Sequence, residues 1–246
     1  MLNLNPALYV PIFCRKSIRK YSDVPLTPEQ LSLVKAEIGR AVPLLPAESF
    51  HLELGEAKEG WRVYGCCENT PLSNANLGFA LQQLDLALHL GGLGRLWYGM
   101  GRDPGGAKPQ APSGKGLSYA MCLKVGCPAE PLSRESAEEF DRKPIGEVAD
   151  TQELQALFEP VRLAPSARNS QPWYFTQGEG CIQAWRRQPG LLNKLLIDRM
   201  NWLDMGIALC HAALALEHAG EAYEIEIAPP AQGLEGHDYL LTIRRG

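Results

Sequence analysis

An internal repeat limits the fold of this chain more than any other feature of the sequence. Thr27-Pro28-Glu29-Gln30 has the pattern of a capping box at a helix start, and Asp150-Thr151-Gln152-Glu153 repeats it 123 positions later. After each box come apolar residues at helical spacing and then a strand-like segment, at residues 50–54 and 173–175. This pattern predicts two similar structural units in one chain.

Within two long apolar segments, residues 77–94 and 203–220, residues 77–92 match residues 205–220 with a shift of 128 positions. Their matching residues include the glycine pair Gly78 and Gly206. Polar side chains interrupt both segments, which argues against membrane spans. We therefore expect two buried helices that pack against each other across a pseudo-two-fold axis.

The ends of the two copies also correspond. Each apolar segment stops at a glycine, Gly92 in the first copy and Gly220 in the second, as a helix C-terminus prefers. Strand-like segments follow at residues 119–125 and 239–243. The sequence thus predicts an α+β fold made of two tandem repeats, a pseudo-dimer within one chain.

The predicted boundary separates a first repeat, residues 1–130, from a second repeat, residues 131–246. The junction falls in a stretch rich in Pro, Ser and Glu, at residues 128–140. Since the pseudo-dimer is complete within one chain, we expect that a monomer can suffice, although a higher oligomer stays open.

Charge and cysteine content narrow the class of protein. The net charge of −4 and the pI near 5.8 argue against a nucleic-acid partner, which would favour a basic protein. The seven cysteines are odd in number and include no Cys-x-x-Cys, so neither a disulfide framework nor a zinc site is indicated. The N-terminus lacks the basic start of a signal peptide. We expect a cytoplasmic protein with reduced thiols and no membrane partner.

The basic segment, residues 15–21, is the first motif with chemical potential. In an extended conformation, its alternate residues Arg15, Ser17 and Arg19 face one way. Arginine forms planar, bidentate hydrogen bonds to phosphate. The segment therefore predicts an anion site, although a solvated basic patch is the alternative.

The second motif is a loop at residues 164–173, Ala-Pro-Ser-Ala-Arg-Asn-Ser-Gln-Pro-Trp. It follows a predicted helix, leads into a strand, and combines two prolines with several small polar side chains. Such a loop is rigid and rich in donors and acceptors. We expect this segment, called here the ring-edge loop, to bind the polar edge of a planar heterocycle; a plain turn is the alternative.

These motifs resemble those of the nitroreductase family. The basic segment is similar to the family's Arg-x-Ser-x-Arg/Lys motif, and the ring-edge loop to its Pro-Ser-x-x-Asn-x-Gln-Pro-Trp loop. Residues 91–99 resemble its Gly-Leu-Gly…Trp-x-Gly segment, and Gly126-Cys127-Pro128-Ala129-Glu130 its Gly-Tyr-Pro-Ala-Glu turn. Arg142-Lys143-Pro144-Ile145 resembles the Arg-Lys-Pro segment. With the internal repeat, the chain most resembles the single-chain "putative TM nitroreductase" branch.

The resemblance implies a nitroreductase-like fold that binds flavin mononucleotide (FMN) and uses NADH or NADPH as electron donor. It also implies a set of cofactor-binding residues and no catalytic side chain, because the flavin carries the chemistry. That set is Arg15, Lys16, Ser17, Arg19, Trp97, Tyr98, Gly99, Arg142, Lys143, Pro165, Ser166, Ala167, Asn169 and Gln171.

The roles that the resemblance implies differ along the flavin. Arg15 and Ser17, with Arg142 or Lys143, would hold the phosphate and the ribityl chain. Arg19 would lie near N1 and O2 of the ring, where a cation favours the negative charge of the reduced form.

The remaining roles concern the ring itself. Pro165, Ser166 and Asn169 would contact it from the second repeat. By resemblance, the backbone of residues 97–99 would lie near N5, and an asparagine within residues 69–76 would contact the pyrimidine edge.

Each repeat has kept a different part of this site. The position of Asn169 is Pro46 in the first repeat, within the apolar loop Val42-Pro43-Leu44-Leu45-Pro46. Aligned with the basic segment, Pro144 stands for Ser17 and Gly146 for Arg19. We therefore expect one composite flavin site per chain and a degenerate mate site.

The expected function is electron transfer from NAD(P)H through FMN to a small organic acceptor such as a nitroaromatic or a quinone, in ping-pong fashion. Two alternatives stay open: a flavin- or ligand-binding protein without turnover, and a structural protein with a degenerate site. A Gly/Pro/Lys-rich stretch, residues 101–116, is the predicted lid over the acceptor. Histidine spacing gives little support for a metal site.

Overall fold

The computed structural model describes residues 1–99 and 116–246, and for residues 191–196 it describes the backbone alone. In these ranges the helices are α1 (Pro28–Arg40), α2 (Pro71–Leu90), α3 (Gln152–Leu157), α4 (Glu159–Arg162) and α5 (Leu191–His218). The strands are β1 (Phe50–Ala57), β2 (Gly60–Cys67), β3 (Gly94–Gly99), β4 (Ser118–Gly126), β5 (Trp173–Gly178), β6 (Cys181–Arg187), β7 (Tyr223–Glu226) and β8 (His237–Arg245). Within the described ranges, no helix is both long and apolar enough to cross a membrane.

The two sheets have the same topology. The first has the order β1-β2-β4-β3 and the second β5-β6-β8-β7, and all neighbouring strands are antiparallel. Even an irregularity is repeated, since the register shifts between Gly65 and Cys66 in one sheet and between Ala184 and Trp185 in the other. The expected α+β fold of two tandem units is therefore confirmed.

The long helices α2 and α5 cross at two glycines. A Cβ atom on Gly78 would lie 2.9 Å from the carbonyl carbon of Leu203 and would clash with its oxygen. A Cβ atom on Gly206 would lie 2.7 Å from the nitrogen of Phe79 and would clash with the carbonyl oxygen of Ala75. Gly78 and Gly206 are separated by 128 positions, as are Ala75 and Leu203, so the two contacts are related by the pseudo-two-fold axis.

Both long helices end in the same way, as their glycines predict. Gly92 and Gly220 each adopt φ = 74°, a left-handed conformation that glycine takes without strain. The N–H of Leu93 donates to the carbonyl oxygen of Leu88 at 3.0 Å, and the equivalent bond after α5 measures 2.9 Å. These bonds satisfy carbonyl groups that the end of a helix leaves free.

The two predicted capping boxes have different outcomes. At α1 the box is confirmed, because the Thr27 hydroxyl accepts from the N–H of Gln30 and the Gln30 side chain accepts from the N–H of Thr27. At α3 the prediction is wrong by one residue, since Thr151 is the N-cap. The carboxylate of Asp150 instead accepts from the backbone N–H of Gln177 on β5.

The segment after β4 connects the two units. It first runs beside the basic segment, where Arg15 forms an antiparallel bridge with Ser133. It then reaches the edge of the second sheet, where Ala149 forms a parallel bridge with Phe175. The boundary predicted at residue 130 falls within this connection.

Replacing Gly206 with alanine should destabilise the protein by about 3 kcal/mol or more, because the added Cβ has no space between the crossing helices. Urea unfolding followed by circular dichroism would measure the change.

Gly39→Ala is the matched control. Gly39 lies in α1, and no atom lies within 4 Å of the position that an added methyl group would take, so alanine there should be neutral or stabilising by up to about 1 kcal/mol. Equal stability of the two variants would contradict the close crossing.

Candidate functional site

A cavity of about 200 Å³ is lined by residues of both units. Half of the predicted site residues line it: Ser17, Arg19, Trp97, Gly99, Pro165, Ser166 and Ala167. The other described lining residues were not predicted from the sequence; they are Leu96, Met121, Arg168, Met200, Asp204 and Ile207. The basic segment and the ring-edge loop, which are far apart in the chain, thus meet at one cavity.

Backbone hydrogen bonds fix the basic segment beside β3. The N–H of Ile18 donates to the carbonyl oxygen of Arg95 at 2.8 Å. The carboxylate of Glu130 accepts from the N–H groups of Arg19 and Lys20 at 2.6 and 3.0 Å. These two bonds lower the pKa of Glu130. Among the described residues, the Arg19 guanidinium forms no hydrogen bond or ion pair, and it is free to meet a ligand at the cavity.

Arg15 lies behind the cavity and does not line it. Its guanidinium is buried, with Nε 2.8 Å from Oδ2 of Asp85, and the same carboxylate lies 3.5 Å from Nε of Arg95. From there Nη2 of Arg15 donates to Oγ of Ser17 at 3.4 Å. Arg15 is therefore placed to orient the Ser17 side chain. Its ion-pair partner, Asp85, was not predicted from the sequence.

Two further arginines, Arg134 and Arg142, lie near Arg15. Arg134 donates to the carbonyl oxygen of Arg15 and packs over the ring of Phe140, at 4.1 Å from its centre. Arg142 lies on the same ring, and its Nη1 donates to Oδ1 of Asn169 at 2.6 Å. Burial and then the charges of Arg15 and Arg134 lower the pKa of Arg142 to about 10. Mutual repulsion of this kind would be relieved by a bound anion.

Strained backbone gives the ring-edge loop its shape. Arg168, Asn169 and Gln171 all adopt positive φ angles, of 53°, 56° and 47°. The Gln171 side chain supports this shape, because it accepts from the N–H of Lys143 at 2.8 Å and donates to the carbonyl oxygen of Asn169 at 3.1 Å. Such strain persists where surrounding contacts enforce it, and it is typical of ligand-binding loops. Lys143, Asn169 and Gln171 thus support the loop without lining the cavity.

Strand β3 forms another wall. Gly99 lies against Met200 of α5, so closely that a Cβ atom would come within 2.9 Å of its sulfur. Trp97 faces the cavity, and its buried Nε1 has no hydrogen-bond partner among the described residues. Tyr98 is not among the lining residues, and its ring lies 5.7 Å from the guanidinium carbon of Arg62.

Among the described residues that line the cavity, Asp204 is the one carboxylic acid. Both of its oxygens accept from the N–H of Ala167, at 3.0 and 3.1 Å, and Oδ2 lies 3.5 Å from the Ser170 hydroxyl. Burial raises the pKa of Asp204 to about 8, against the effect of these hydrogen bonds. The signal that could have identified Asp204 from the sequence is an acidic residue within an apolar helix. It lies on the same helix face as Met200.

The asparagines of residues 69–76 are engaged elsewhere. Asn74 accepts from Nε of Arg199 at 2.9 Å and donates to the carbonyl oxygen of Thr70. Asn76 is fully buried and bonds to the backbone of Leu45. Neither lines the cavity. Lys16 is also outside the lining, and the predicted lid lies outside the described residues except for Gly116.

The counterpart of the ring-edge loop in the first unit is apolar and packed. Leu44 and Leu45 are buried in the same core as Leu4 and Leu8 of the N-terminal segment. Within the ranges that the structure covers, no group of His, Cys, Asp and Glu has the arrangement of a metal site.

Comparisons with solved structures identify similar folds. A putative nitroreductase from Thermotoga maritima is similar over 98% of this chain and 93% of its own, with 20% identity and a TM-score of 0.65. An FMN-dependent nitroreductase from Clostridium difficile matches 52% of this chain and 91% of its own, with 18% identity and a TM-score of 0.43. A search among curated protein sequences gave no match.

The sequence comparison agrees with the predicted resemblance. The profile of the family described as "Putative TM nitroreductase" matches residues 7–216, which include α2, most of α5, the basic segment and the ring-edge loop. The chain therefore belongs to the "Putative TM nitroreductase" family.

Proposed function

We propose that the chain is an FMN-dependent oxidoreductase that transfers electrons from NAD(P)H to a small organic acceptor. Membership of a nitroreductase family makes an oxidoreductase role the general expectation. The meeting of the basic segment, β3 and the ring-edge loop at one cavity carries the proposal. When bound there, FMN would supply the redox chemistry, accepting a hydride from the nicotinamide and passing on two electrons.

The polar groups at the cavity fit such a cofactor. The Nε1 of Trp97, which has no partner in the part of the chain that the structure describes, is a buried donor that a heterocycle acceptor would satisfy. The guanidinium of Arg19 is available for a developing negative charge on the ring. The carboxylate of Glu130 accepts from the backbone N–H of Arg19, so the backbone of this arginine is fixed beside the cavity.

The arginine cluster near Arg15 fits the phosphate end. Arg134 and Arg142 lie on one aromatic ring, and the Nε of Arg142 has no partner among the described residues. Arginine gives charge-assisted, bidentate bonds to phosphate oxygens. We assign Arg142 and Ser17 to the phosphate and ribityl chain, with Arg15 as the residue that orients Ser17.

We further propose one flavin site per chain. The mate position has Leu44 and Leu45 in the packed core where the ring-edge loop has polar groups. One chain holds both parts of the composite site, so a monomer can be active. The seven free cysteines support a reducing compartment such as the cytoplasm.

Purified protein should take up one FMN per chain and show flavin absorbance that NADH or NADPH bleaches and a quinone or nitroaromatic restores. Flavin binding without turnover would favour a binding protein, and failure to take up FMN would overturn the proposal.

Arg142→Gln should raise the Kd for FMN about tenfold or more, because one phosphate-binding cation is lost. Riboflavin, which lacks the phosphate, should lose less affinity than FMN, since the variant affects it only through the lost bond from Arg142 to Asn169. Quenching of flavin fluorescence gives both constants. Arg244→Gln, which removes an exposed arginine paired with Glu226, is the control and should leave both values unchanged.

Arg19→Gln should slow bleaching of the flavin by NAD(P)H by about 10²-fold while FMN stays bound, because the cation that favours the reduced ring is lost. Stopped-flow absorbance under anaerobic conditions would measure the rate. Lys20→Gln removes the neighbouring cation, which does not line the cavity, and should have little effect. A similar loss of rate in both variants would refute the specific role of Arg19.

A further inference from the structure

The two long helices carry a matched pair of polar residues that hold the two loops. Asn76 of α2 accepts from the N–H of Leu45 at 3.0 Å, and Asp204 of α5 accepts from the N–H of Ala167 at 3.0 Å. The two positions differ by 128, the shift that relates the helices. In the mate position an amide is sufficient to hold the loop, so the carboxyl group of Asp204 is not required for that task.

We propose that Asp204 donates the second proton that an acceptor needs when it is reduced in the cavity. The proposal rests on the proposed flavin function and adds a residue of this chain to it. Asp204 lines the cavity, while its counterpart Asn76 lies in the packed core. Asp204 therefore places a carboxyl group that can carry a proton at the cavity where acceptors would bind.

The surroundings of Asp204 suit a group that exchanges protons near neutrality. Its side chain is almost completely buried, and burial raises its pKa to about 8. Of the lining residues that the structure describes, the other charged ones are Arg19 of the basic segment and Arg168 of the ring-edge loop. From α5, β3 and β4 the neighbouring cavity residues are uncharged: Met200, Ile207, Leu96, Trp97, Gly99 and Met121.

The proton balance of the reaction requires such a group. Reduction of a quinone to a quinol takes two electrons and two protons. A hydride equivalent, derived from NAD(P)H, brings both electrons and one proton. The second would move from the carboxyl oxygen of Asp204 to a quinone oxygen, so that one O–H bond breaks and another forms. The carboxylate then regains a proton from solvent.

The first test compares wild type with Asp204→Asn, using NADPH or NADH and 1,4-benzoquinone. In wild type, kcat should fall as the pH rises through about 8, because the protonated acid is needed. The variant should be about 10²-fold slower at pH 7 and lose this dependence, while its Kd for FMN stays the same.

The second test uses the protein without flavin. A carboxyl pKa raised from 3.8 to about 8 means that the folded state binds the proton more tightly than the unfolded state. Wild type should therefore lose stability relative to Asp204→Asn as the pH rises from about 4 to about 8, with no further change above. The Tm difference between the two proteins, measured across this range, reports the titration directly.

Asp150→Asn is the matched control for both tests. Its carboxylate also accepts from a backbone N–H, that of Gln177, but it lies outside the cavity. It should keep the wild-type rate and pH profile.

The outcomes separate the two proposals. Absence of turnover in flavin-loaded wild type overturns the proposed function. Turnover with an unchanged rate and pH profile in Asp204→Asn overturns the proton donor alone, as does a Tm difference that is constant between pH 4 and 8.

Discussion

The structure depends on the contact between α2 and α5 at Gly78 and Gly206. At both glycines the backbone of the other helix occupies the space that a side chain would take. Close approach of this kind removes almost all solvent from both helices, whose central residues are buried on every face. It also fixes the distance between the two units, and with it the width of the cavity between the basic segment and the ring-edge loop. A helix pair held further apart by one methyl group would not bring Met200 against Gly99.

Much of the fold could be predicted because the repeat appears in the sequence twice. Glycine ends of helices, apolar periodicity and the strand-like segments predicted the long helices and four of the strands. The helix ends at the glycines were placed within four residues, whereas α2 begins six residues and α5 twelve residues before the predicted segments. Strands β2, β3, β6 and β7 were not predicted. β2 and β6 form short hairpins with β1 and β5, but each also pairs with a strand much further along the chain, β4 or β8, and local patterns carry little information about such distant pairings. The cap at α3 was misplaced because Asp150 has a competing partner on β5, a tertiary contact invisible in the sequence.

For the candidate site, motifs identified the segments but not the position of every side chain. Ser17, Arg19 and Ala167 line the cavity, whereas the Arg15 guanidinium points away from it into an ion pair with Asp85. An alternating pattern cannot indicate which guanidinium is buried, because that depends on a carboxylate far away in the chain. In the sequence, Asp204 is only one of the polar residues that interrupt an apolar segment. Its importance follows from the crossing of the helices, which places it beneath the ring-edge loop.

The difference between Asn76 and Asp204 has a wider consequence for a repeated fold on one chain. In a dimer of identical subunits, each codon specifies both copies of a position, so a change that helps one site is imposed on the other. Here the two copies are encoded separately, and each can adapt without its counterpart. The loop of the first unit packs Leu44 and Leu45 into the core, whereas the ring-edge loop has polar residues with positive φ angles. In such a molecule the two copies share the same backbone fold, whereas the side chains that take part in the chemistry can be present in one copy alone.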